Sequence, residues 1–425
     1  SKPYFSDNIR YIAFRDSYGS VDQTYFLQQR WESQEMDPEM PTVGQLLDRA
    51  YLAEGEDTPE RDSLRQQLYD IFQMRPLLDK PIILLSSGEL RKYVITRTLF
   101  AEARLLIIDN PFIGLDASTR DQLKMLLAAY VARTSTLMVL VLSKTDDIPD
   151  FITHVVEVND RTVAPKVTRE EYLDNLQAVT LPSLADDKRL SILQLPARTD
   201  DYMAEEVVAM RQVTIRYGER TILKDLSWTV RNGERWALRG ENGAGKTTLL
   251  SLICADNPQS YACDIALFGR QRGSGESIWD IKRHIGYVSP EMHRSYHRDL
   301  PAIRIVASGL KDTIGLYAVP TEEEYRQCRW WMEVFGIGEL ADRSFLQMST
   351  GEQRLVLLAR AFVKDPELLI LDEPLHGLDD ANRQMVKEII DTFCQRPGKT
   401  LIMVTHYEEE LPTCIDHTLF LKKNQ

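Results

Sequence analysis

The glycine-rich segment from Gly240 to Thr247 has residue types and spacing suited to holding phosphate. It reads GENGAGKT and matches the pattern G-x-x-x-x-G-K-[ST]. Glycines let successive backbone N–H groups converge on phosphate oxygens, Lys246 can reach the β- and γ-phosphates, and Thr247 can offer its hydroxyl to Mg²⁺. The predicted nucleotide-binding loop comprises Gly240, Glu241, Asn242, Gly243, Ala244, Gly245, Lys246, Thr247 and Thr248.

Two adjacent carboxylates follow an apolar run farther along the chain. The run LLILDE places Asp372 and Glu373 directly after four apolar residues, which is the pattern of a strand buried inside a parallel sheet. Ligands bind at the carboxyl ends of such strands, so Asp372 can hold Mg²⁺ through water and Glu373 can polarise an attacking water molecule. Together with the glycine loop, this pair predicts hydrolysis of a nucleotide.

The surrounding pattern indicates which elements position these residues. Residues 207–217 alternate like a strand, residues 235–240 form a short apolar run that leads into the glycines, and residues 246–253 begin a helix. Strand, glycine loop and helix form the context that a phosphate loop requires. Residues 64–72 and 323–335 have the spacing of amphipathic helices. We expect an α/β fold built on a parallel sheet.

A repeat within the chain doubles this arrangement. LSSGE at 85–89 returns as MSTGE at 348–352, and LLIIDNPFIGLD at 105–116 returns as LLILDEPLHGLD at 368–379, both at an offset of 263 positions. Chance similarity of one short motif would not fix the distance to the next, so the shared offset indicates a shared fold. We therefore expect two copies of one domain.

The two predicted domains differ at their N-terminal ends. We expect the first domain in residues 1–160 and the second in residues 206–425, joined by a linker at 161–205. The positions of the first copy that would correspond to Gly240–Thr247 lie 263 residues earlier, before residue 1. We therefore interpret the first domain as N-terminally incomplete, without its phosphate loop. A short helix is expected at 168–178, because Thr-x-Glu-Glu suits a helix N-terminus.

Taken in order, ENGAGKTTLL, STGEQRL, LLILDEP, GLD and VTH resemble the nucleotide-binding domain of ATP-binding cassette (ABC) proteins. The serine-glycine motif is the specific part, since phosphate loops and acidic strands occur in many NTPases. The resemblance covers nearly the whole chain, twice. It implies two tandem ABC-type P-loop NTPase domains with ATP and Mg²⁺ as cofactors. It also implies an intramolecular, head-to-tail pairing in which each ATP lies between one domain's phosphate loop and the other's serine-glycine motif.

The same resemblance implies roles for residues outside the loop. Tyr217 is similar to the aromatic residue that stacks on adenine, Asp379 to the D-loop aspartate, and His406 to the histidine that contacts the γ-phosphate. Glu373 and His406 would be the catalytic residues. The nucleotide-binding serine-glycine motifs would comprise Ser86, Ser87, Gly88 and Glu89 in the first copy and Ser349, Thr350, Gly351 and Glu352 in the second.

The chain departs from the family pattern in both copies. Asn110 stands where the second copy has Glu373, and an amide cannot act as a base near neutral pH. Counting residues places Lys144 where the second copy has His406. We therefore predict one complete ATP site and one degenerate site.

The second copy departs from the family pattern at a predicted metal ligand. Glu291 stands near the place of the family's usual glutamine. It is predicted to join Thr247 and Asp372 at the Mg²⁺ ion.

The amino-acid composition restricts the classes of function that the chain can have. The 425 residues include 51 Lys and Arg against 64 Asp and Glu, a net charge of −13, so we expect nucleic acid not to be a partner. No apolar run approaches the roughly 18–20 residues that span a bilayer. The five cysteines include no C-x-x-C pair, which argues against a zinc site or a disulfide framework. We expect a cytoplasmic protein, or one peripheral at the inner face of the cell membrane.

Two functional hypotheses remain. The stretch at 269–277, the following IWDIKRHIGYVS and the degenerate first cassette resemble ModF-type proteins, which are molybdenum-transport or photorepair ATP-binding proteins. This resemblance implies the ATPase component of a transport system for molybdate or another oxyanion, working with separate membrane permease subunits. The alternative is a soluble ABC-F-like ATPase acting on ribosomes or another macromolecular complex, although the predicted linker is acidic rather than a basic arm.

Overall fold

Two parallel β-sheets, one in each half of the chain, organise the computed structural model. The chain divides into a first unit, Ser1–Thr180, and a second unit, Leu181–Gln425. The structure describes residues 8–14, 41–82, 85, 87–112, 115, 117–159, 162–177, 183–196, 204–218, 220–241, 243–290, 292, 296, 299–313 and 319–422.

The first unit is built around three parallel strands that lie in their chain order. These strands are β1 (Ile9–Ala13), β2 (Leu105–Asp109) and β3 (Leu137–Val141). Four of its described helices are α1 (Val43–Ala53), α2 (Pro59–Ile71), α3 (Ser87–Leu99) and α4 (Ala117–Arg133). Two short antiparallel pairs follow, formed by β4 (His154–Val155) with β7 (Val167–Thr168) and by β5 (Val158–Asn159) with β6 (Thr162–Val163).

The segment expected to link the domains contributes one helix to each unit. Helix α5 (Arg169–Gln177) confirms the helix predicted there, and Thr168 caps it, because its hydroxyl accepts a hydrogen bond from the Glu171 N–H at 3.2 Å. Helix α6 (Asp186–Leu193) belongs to the second unit, whose core includes the buried Leu184 and Ile192. The Leu184 N–H donates to Glu388 Oε2 at 2.7 Å.

The second unit combines an antiparallel sheet with a parallel one. The antiparallel sheet has the order β12–β11–β8–β9, from strands β8 (Glu206–Tyr217), β9 (Arg220–Arg231), β11 (Asp264–Leu267) and β12 (Arg270–Gln271). The parallel sheet has the order β13–β14–β15–β10–β16, from strands β10 (Arg235–Gly240), β13 (Ile285–Val288), β14 (Leu368–Asp372), β15 (Thr400–Val404) and β16 (His417–Leu421). The other α-helices of the described residues are α7 (Lys246–Ile253), α8 (Ile278–Lys282), α9 (Ala302–Ser308), α10 (Glu322–Val334), α11 (Thr350–Phe362) and α12 (Asp380–Cys394).

Strand β14 runs through the middle of the second unit and separates two apolar cores. Leu368 and Ile370 pack into the core shared with the antiparallel sheet and α7. Leu369 and Leu371 point to the opposite face, where the core includes residues of α9 to α12 and of the α6 segment. A strand covered on both faces needs a continuous apolar run rather than alternation, which is why LLIL precedes the carboxylates.

The two parallel sheets repeat one register, as the motif offset predicts. Asp109 lies opposite Val141 between β2 and β3, and Asp372 lies opposite Val404 between β14 and β15. The order β1–β2–β3 thus corresponds to β13–β14–β15. Strand β15 also pairs with β10, which leads to the glycine loop. None of the described helices combines the length and the apolar character that a membrane-spanning helix needs.

Candidate nucleotide site

The glycine loop joins β10 to α7 and holds its glycines in conformations that other residues avoid. Gly240, Gly243 and Gly245 have φ angles of +152°, +81° and +96°. A Cβ added at Gly240 would lie 2.5 Å from the Leu421 carbonyl oxygen, and one at Gly245 would lie 2.9 Å from Leu223 Cδ2. Glycine is therefore required here both by backbone angle and by space.

The loop presents the groups expected to meet phosphate. Lys246 Nζ donates hydrogen bonds to the carbonyl oxygens of Gly240 at 2.6 Å and Glu241 at 3.1 Å, so the ammonium lies folded over the loop. Thr247 is exposed, whereas Ala244 is buried. The N-terminus of α7 adds the positive end of a helix dipole at the same place.

Glu373 follows β14 directly and lies close to His406, which follows β15. The Glu373 N–H donates to the Val404 carbonyl oxygen at 2.9 Å, and Glu373 Oε1 lies 3.1 Å from His406 Nε2. Both side chains are largely buried. Adjacent parallel strands end at one edge of the sheet, so this pairing of the two predicted catalytic residues follows from the strand order.

The surroundings of Glu373 favour its anionic form. Burial by itself raises the pKa of this carboxyl, but the hydrogen bond with His406 and the electrostatic contributions of His376, His406 and Arg354 outweigh it. The pKa of Glu373 therefore lies well below its usual range. Such a group can accept a hydrogen bond from a water molecule and orient it at neutral pH.

Two of these neighbours were not found in the sequence analysis. Arg354 belongs to α11 and is 1% exposed, and His376 is buried in the turn after Glu373. Two signals in the sequence could have indicated Arg354 and His376. One is a cation within the apolar run QRLVLLA, and the other is a histidine three residues after Glu373.

The predicted Mg²⁺ ligands form a donor set of the right chemistry. Thr247 supplies a hydroxyl, and Asp372 supplies a half-buried carboxylate at the end of β14. Mg²⁺ takes oxygen ligands and is usually held by one or two carboxylates together with water and substrate phosphates. Among the described residues, no group of three or more His, Cys, Asp or Glu side chains could hold a metal ion.

The serine-glycine motif of the second unit forms the N-terminus of α11. Ser349 Oγ accepts from the Glu352 N–H at 3.2 Å, and the Ser349 N–H donates to Glu352 Oε2 at 2.7 Å. This reciprocal capping explains why serine and glutamate stand three residues apart. Ser349 and Thr350 are exposed, and Gly351 has room, with the nearest neighbour of an added Cβ at 3.4 Å.

The corresponding motif of the first unit is described in part. Gly88 is buried, and Glu89 Oε2 accepts a hydrogen bond from Lys80 Nζ at 2.7 Å. Ser86 and the side chain of Ser87 lie outside the described residues, as do Asn242 and Glu291.

The predicted D-loop aspartate of the second unit, Asp379, caps α12, because its Oδ1 accepts from the Asn382 N–H at 2.7 Å.

The end of β2 carries a neutral counterpart of the Glu373 arrangement. Asn110 shares the left-handed backbone of Glu373, with φ angles of +53° and +48°. The Asn110 N–H donates to the Val141 carbonyl oxygen at 2.9 Å, and Asn110 Nδ2 donates to Asp109 Oδ1 at 2.9 Å. Tyr11 donates to the other Asp109 oxygen at 2.8 Å. Both oxygens of Asp109 are thus occupied by neighbours.

The prediction that Lys144 corresponds to His406 is wrong. The backbone bonds of Asn110 to Val141 and of Glu373 to Val404 align the two sheets, which places Ser143 at the position of His406. Ser143 Oγ donates to Asn110 Oδ1 at 3.4 Å, the same kind of contact that His406 makes with Glu373. Counting from motif to motif missed this by one residue, because strand register, not the ends of apolar runs, fixes the equivalence.

Comparisons with known proteins show the family to which the chain belongs. The family model for the ABC transporter domain matches residues 223–376. The Escherichia coli ABC transporter ATP-binding protein ModF is 41% identical over 373 residues, which are 86% of this chain and 74% of that protein. The Schizosaccharomyces pombe ABC transporter ATP-binding protein C323.04 is 32% identical, over 83% of this chain and 71% of that protein.

A solved structure shares the fold along nearly the whole chain. The archaeal ribosome recycling factor aABCE1, solved with the ribosomal stalk protein aP1, superposes with a TM-score of 0.54 over 98% of this chain and 72% of that one, at 18% identity. The chain belongs to the family of ABC transporter ATP-binding proteins and has the α/β P-loop fold of ABC ATPases. The resemblance to ModF-type proteins is confirmed.

Proposed function

We propose that the chain hydrolyses ATP to ADP and phosphate at one centre, formed in the second unit around Lys246, Asp372 and Glu373. The contact between Glu373 and His406 at the sheet edge carries this proposal. Glu373 would orient the attacking water, Lys246 and the loop amides would hold the phosphates, and Mg²⁺ at Thr247 and Asp372 would neutralise charge on the phosphate oxygens.

The contrast between the units supports a single centre. At the equivalent position the first unit has the neutral pair Asn110 and Ser143, and neither side chain can remove a proton from water at neutral pH. Following the family resemblance, we propose that Ser86, Ser87, Gly88 and Glu89 complete the active centre from the first unit. The degenerate site would then use Ser349, Thr350, Gly351 and Glu352.

For the biological role, we propose the ATPase component of a transport system for molybdate or another oxyanion. Identity of 41% to a protein named as an ABC transporter ATP-binding protein supports this role. Such a component works with separate permease subunits, so this chain would reside in the cytoplasm, peripheral at the inner face of the membrane.

Fractionation tests this role. The full-length protein should co-purify with membranes that contain a co-expressed permease, and the recovered complex should hydrolyse ATP faster than the chain alone. ATP-dependent, salt-sensitive sedimentation with ribosomes, without membrane recovery, would instead establish the ABC-F-like alternative. The Glu373→Gln variant serves as the control, because slow hydrolysis should prolong either complex.

A further inference from the structure

An exposed aromatic ring lies beside the glycine loop, where β8 ends. The ring belongs to Tyr217, which is 45% exposed. Strand β9, which pairs with β8 through Ile215 and Leu223, packs against the loop, since an added Cβ at Gly245 would lie 2.9 Å from Leu223 Cδ2. The Tyr217 ring is therefore carried on a hairpin that contacts the phosphate loop.

The hydroxyl of this ring is held by a buried amide. Asn257 is 5% exposed, and its Nδ2 donates to the Tyr217 hydroxyl oxygen at 2.9 Å. The Asn257 Oδ1 accepts from the Gln259 N–H at 3.0 Å, which fixes which way the amide points. The Asn257 side chain thus holds the exposed Tyr217 ring through a hydrogen bond to its hydroxyl.

Asn257 is also tied to the helix that follows the loop. Its N–H donates to the Ser251 carbonyl oxygen at 3.2 Å, and its Nδ2 lies 3.4 Å from Ser251 Oγ. Ser251 Oγ in turn donates to the Thr248 carbonyl oxygen at 2.7 Å. The position of the Tyr217 hydroxyl is therefore set by α7, the helix whose N-terminus would bind the phosphates.

Gln259 secures the strand end from the same turn. Its Nε2 donates to the Arg216 carbonyl oxygen at 2.9 Å, and its Oε1 accepts from the Arg216 N–H at 3.4 Å. These bonds hold the backbone next to Tyr217, whereas Asn257 holds the ring. Backbone and ring of the strand end are thus fixed by separate side chains.

We infer that Asn257 is a positioning residue, which holds the Tyr217 ring at a fixed place and angle as a stacking surface for the base of a bound nucleoside triphosphate. An aromatic face stacks on a base without hydrogen bonds, so its contribution depends on where the ring is held. A ring already fixed to α7 loses little freedom when the ligand arrives, which lowers the cost of binding. The inference rests on the proposed nucleotide site.

A purely structural role for Asn257 makes a different prediction. Asn257 also caps the short turn Pro258–Ala262 through its Oδ1, and losing that cap would disturb the helix and loop together. Phosphate binding and base binding would then weaken alike. Comparing a ligand that has a base with one that has none separates the two roles. Asn257→Asp is the conservative replacement, since a carboxylate still accepts from Gln259 and can accept a hydrogen bond from the Tyr217 hydroxyl.

The experiment measures equilibrium binding of two ligands, ATP and inorganic tripolyphosphate, to full-length variants. Asn257→Ala and Tyr217→Phe should each weaken ATP binding about three- to tenfold, as expected for one lost hydrogen bond. The double variant should bind ATP no more weakly than either single variant. Tripolyphosphate, which lacks a base, should bind all three like the wild type, and Asn257→Asp should recover most of the lost ATP affinity.

Three results would overturn the inference. They are wild-type ATP affinity in Tyr217→Phe, additive losses in the double variant, and an equal loss of tripolyphosphate binding in Asn257→Ala. Lys246→Ala tests the proposed nucleotide site separately, because it should weaken both ligands. Unchanged binding of both ligands by Lys246→Ala would refute that site, whatever Asn257 does.

Discussion

Glu373 occupies a backbone conformation that glutamate seldom adopts. Its φ of +48° is left-handed, and the equivalent Asn110 has a φ of +53°. Asparagine tolerates this region better than other residues with a Cβ, because its short amide can bond locally, as Asn110 does with Asp109. The first unit therefore has a residue suited to the conformation, whereas the second unit retains a strained one at its candidate site.

This difference predicts a stability effect at Glu373 that is independent of activity. Both Glu373→Asn and Glu373→Gln replace the carboxylate with a neutral amide, but only asparagine suits the left-handed backbone. We expect Glu373→Asn to be more stable than Glu373→Gln by about 0.5–1 kcal/mol. Denaturant unfolding of the two variants measures the difference, and equal midpoints would show that the backbone at Glu373 carries no strain.

Hydrolysis should depend on the Glu373 carboxylate. We expect Glu373→Gln to bind ATP normally and to lower steady-state turnover by about 10²–10⁴-fold, because the phosphate and Mg²⁺ ligands remain while the group that orients water is lost. Asn110→Ala is the matched control at the equivalent position and should change turnover far less. Comparable losses in the two variants would mean that the first unit also has a working centre.

Helix α6 shows how an element outside both predicted domains becomes part of one. Lys188 Nζ donates to the Glu333 carbonyl oxygen at 2.7 Å, next to the end of α10, and Arg189 lies 3.3 Å from Glu388 on α12. Arg396 Nη2 bonds the Leu195 carbonyl oxygen at 3.3 Å. These contacts attach the segment 183–196 to the C-terminal end of α10, to the middle of α12 and to Arg396 beyond its end.

The buried face of α6 should therefore stabilise the second unit. Ile192 is fully buried, whereas Leu190 on the same helix is 55% exposed. We expect Ile192→Ala to lower the free energy of unfolding by about 2–4 kcal/mol through the cavity it leaves, and Leu190→Ala to change it by less than about 0.5 kcal/mol. Thermal unfolding of the two full-length variants makes the comparison. Similar melting temperatures would indicate a loosely attached linker.

The two units repeat one sheet register, with different residues at the proposed catalytic position. The repeated register places Glu373 and Asn110, and likewise His406 and Ser143, at equivalent points of the two parallel sheets. Under the proposed function, only the position of Glu373 provides a carboxylate that can orient water. A head-to-tail pairing of cassettes would make the active centre depend on the serine-glycine motif of the other copy.

Substitution of the motif glycines tests this dependence, with one adjustment that the structure requires. A Cβ at Gly88 would lie 2.3 Å from Thr119 Cγ2, whereas one at Gly351 meets nothing closer than 3.4 Å. Gly88→Asp should therefore be made together with Thr119→Ser, which removes the colliding methyl group. Thr119→Ser alone is its control.

We expect Gly88→Asp in the Thr119→Ser background to abolish most ATP turnover, because its carboxylate would repel the γ-phosphate held by Lys246. Gly351→Asp should reduce turnover less, since it faces the degenerate site. Steady-state hydrolysis is measured for both variants, with thermal unfolding to confirm that each is folded. Equal losses, or a larger loss in Gly351→Asp, would contradict a single active centre.

Local features of the chain were sufficient to predict the elements and most of the site. The glycine loop, the buried strands ending in Asp109 and Asp372, and the amphipathic helices expected at 64–72 and 323–335 follow from short patterns, because a turn, a strand or a helix depends on neighbouring residues. The constant offset of 263 positions predicted that the two sheets correspond, and the shared register confirms it.

Which side chains from different strands and helices contact each other is determined by the tertiary structure. Spacing along the chain does not show that Arg354 and His376 act on Glu373, that Ser143 rather than Lys144 takes the place of His406, or that Asn257 holds Tyr217. These contacts join residues from different strands, helices and turns. They depend on strand register and packing, which the chain acquires only when the sheet and its helices come together.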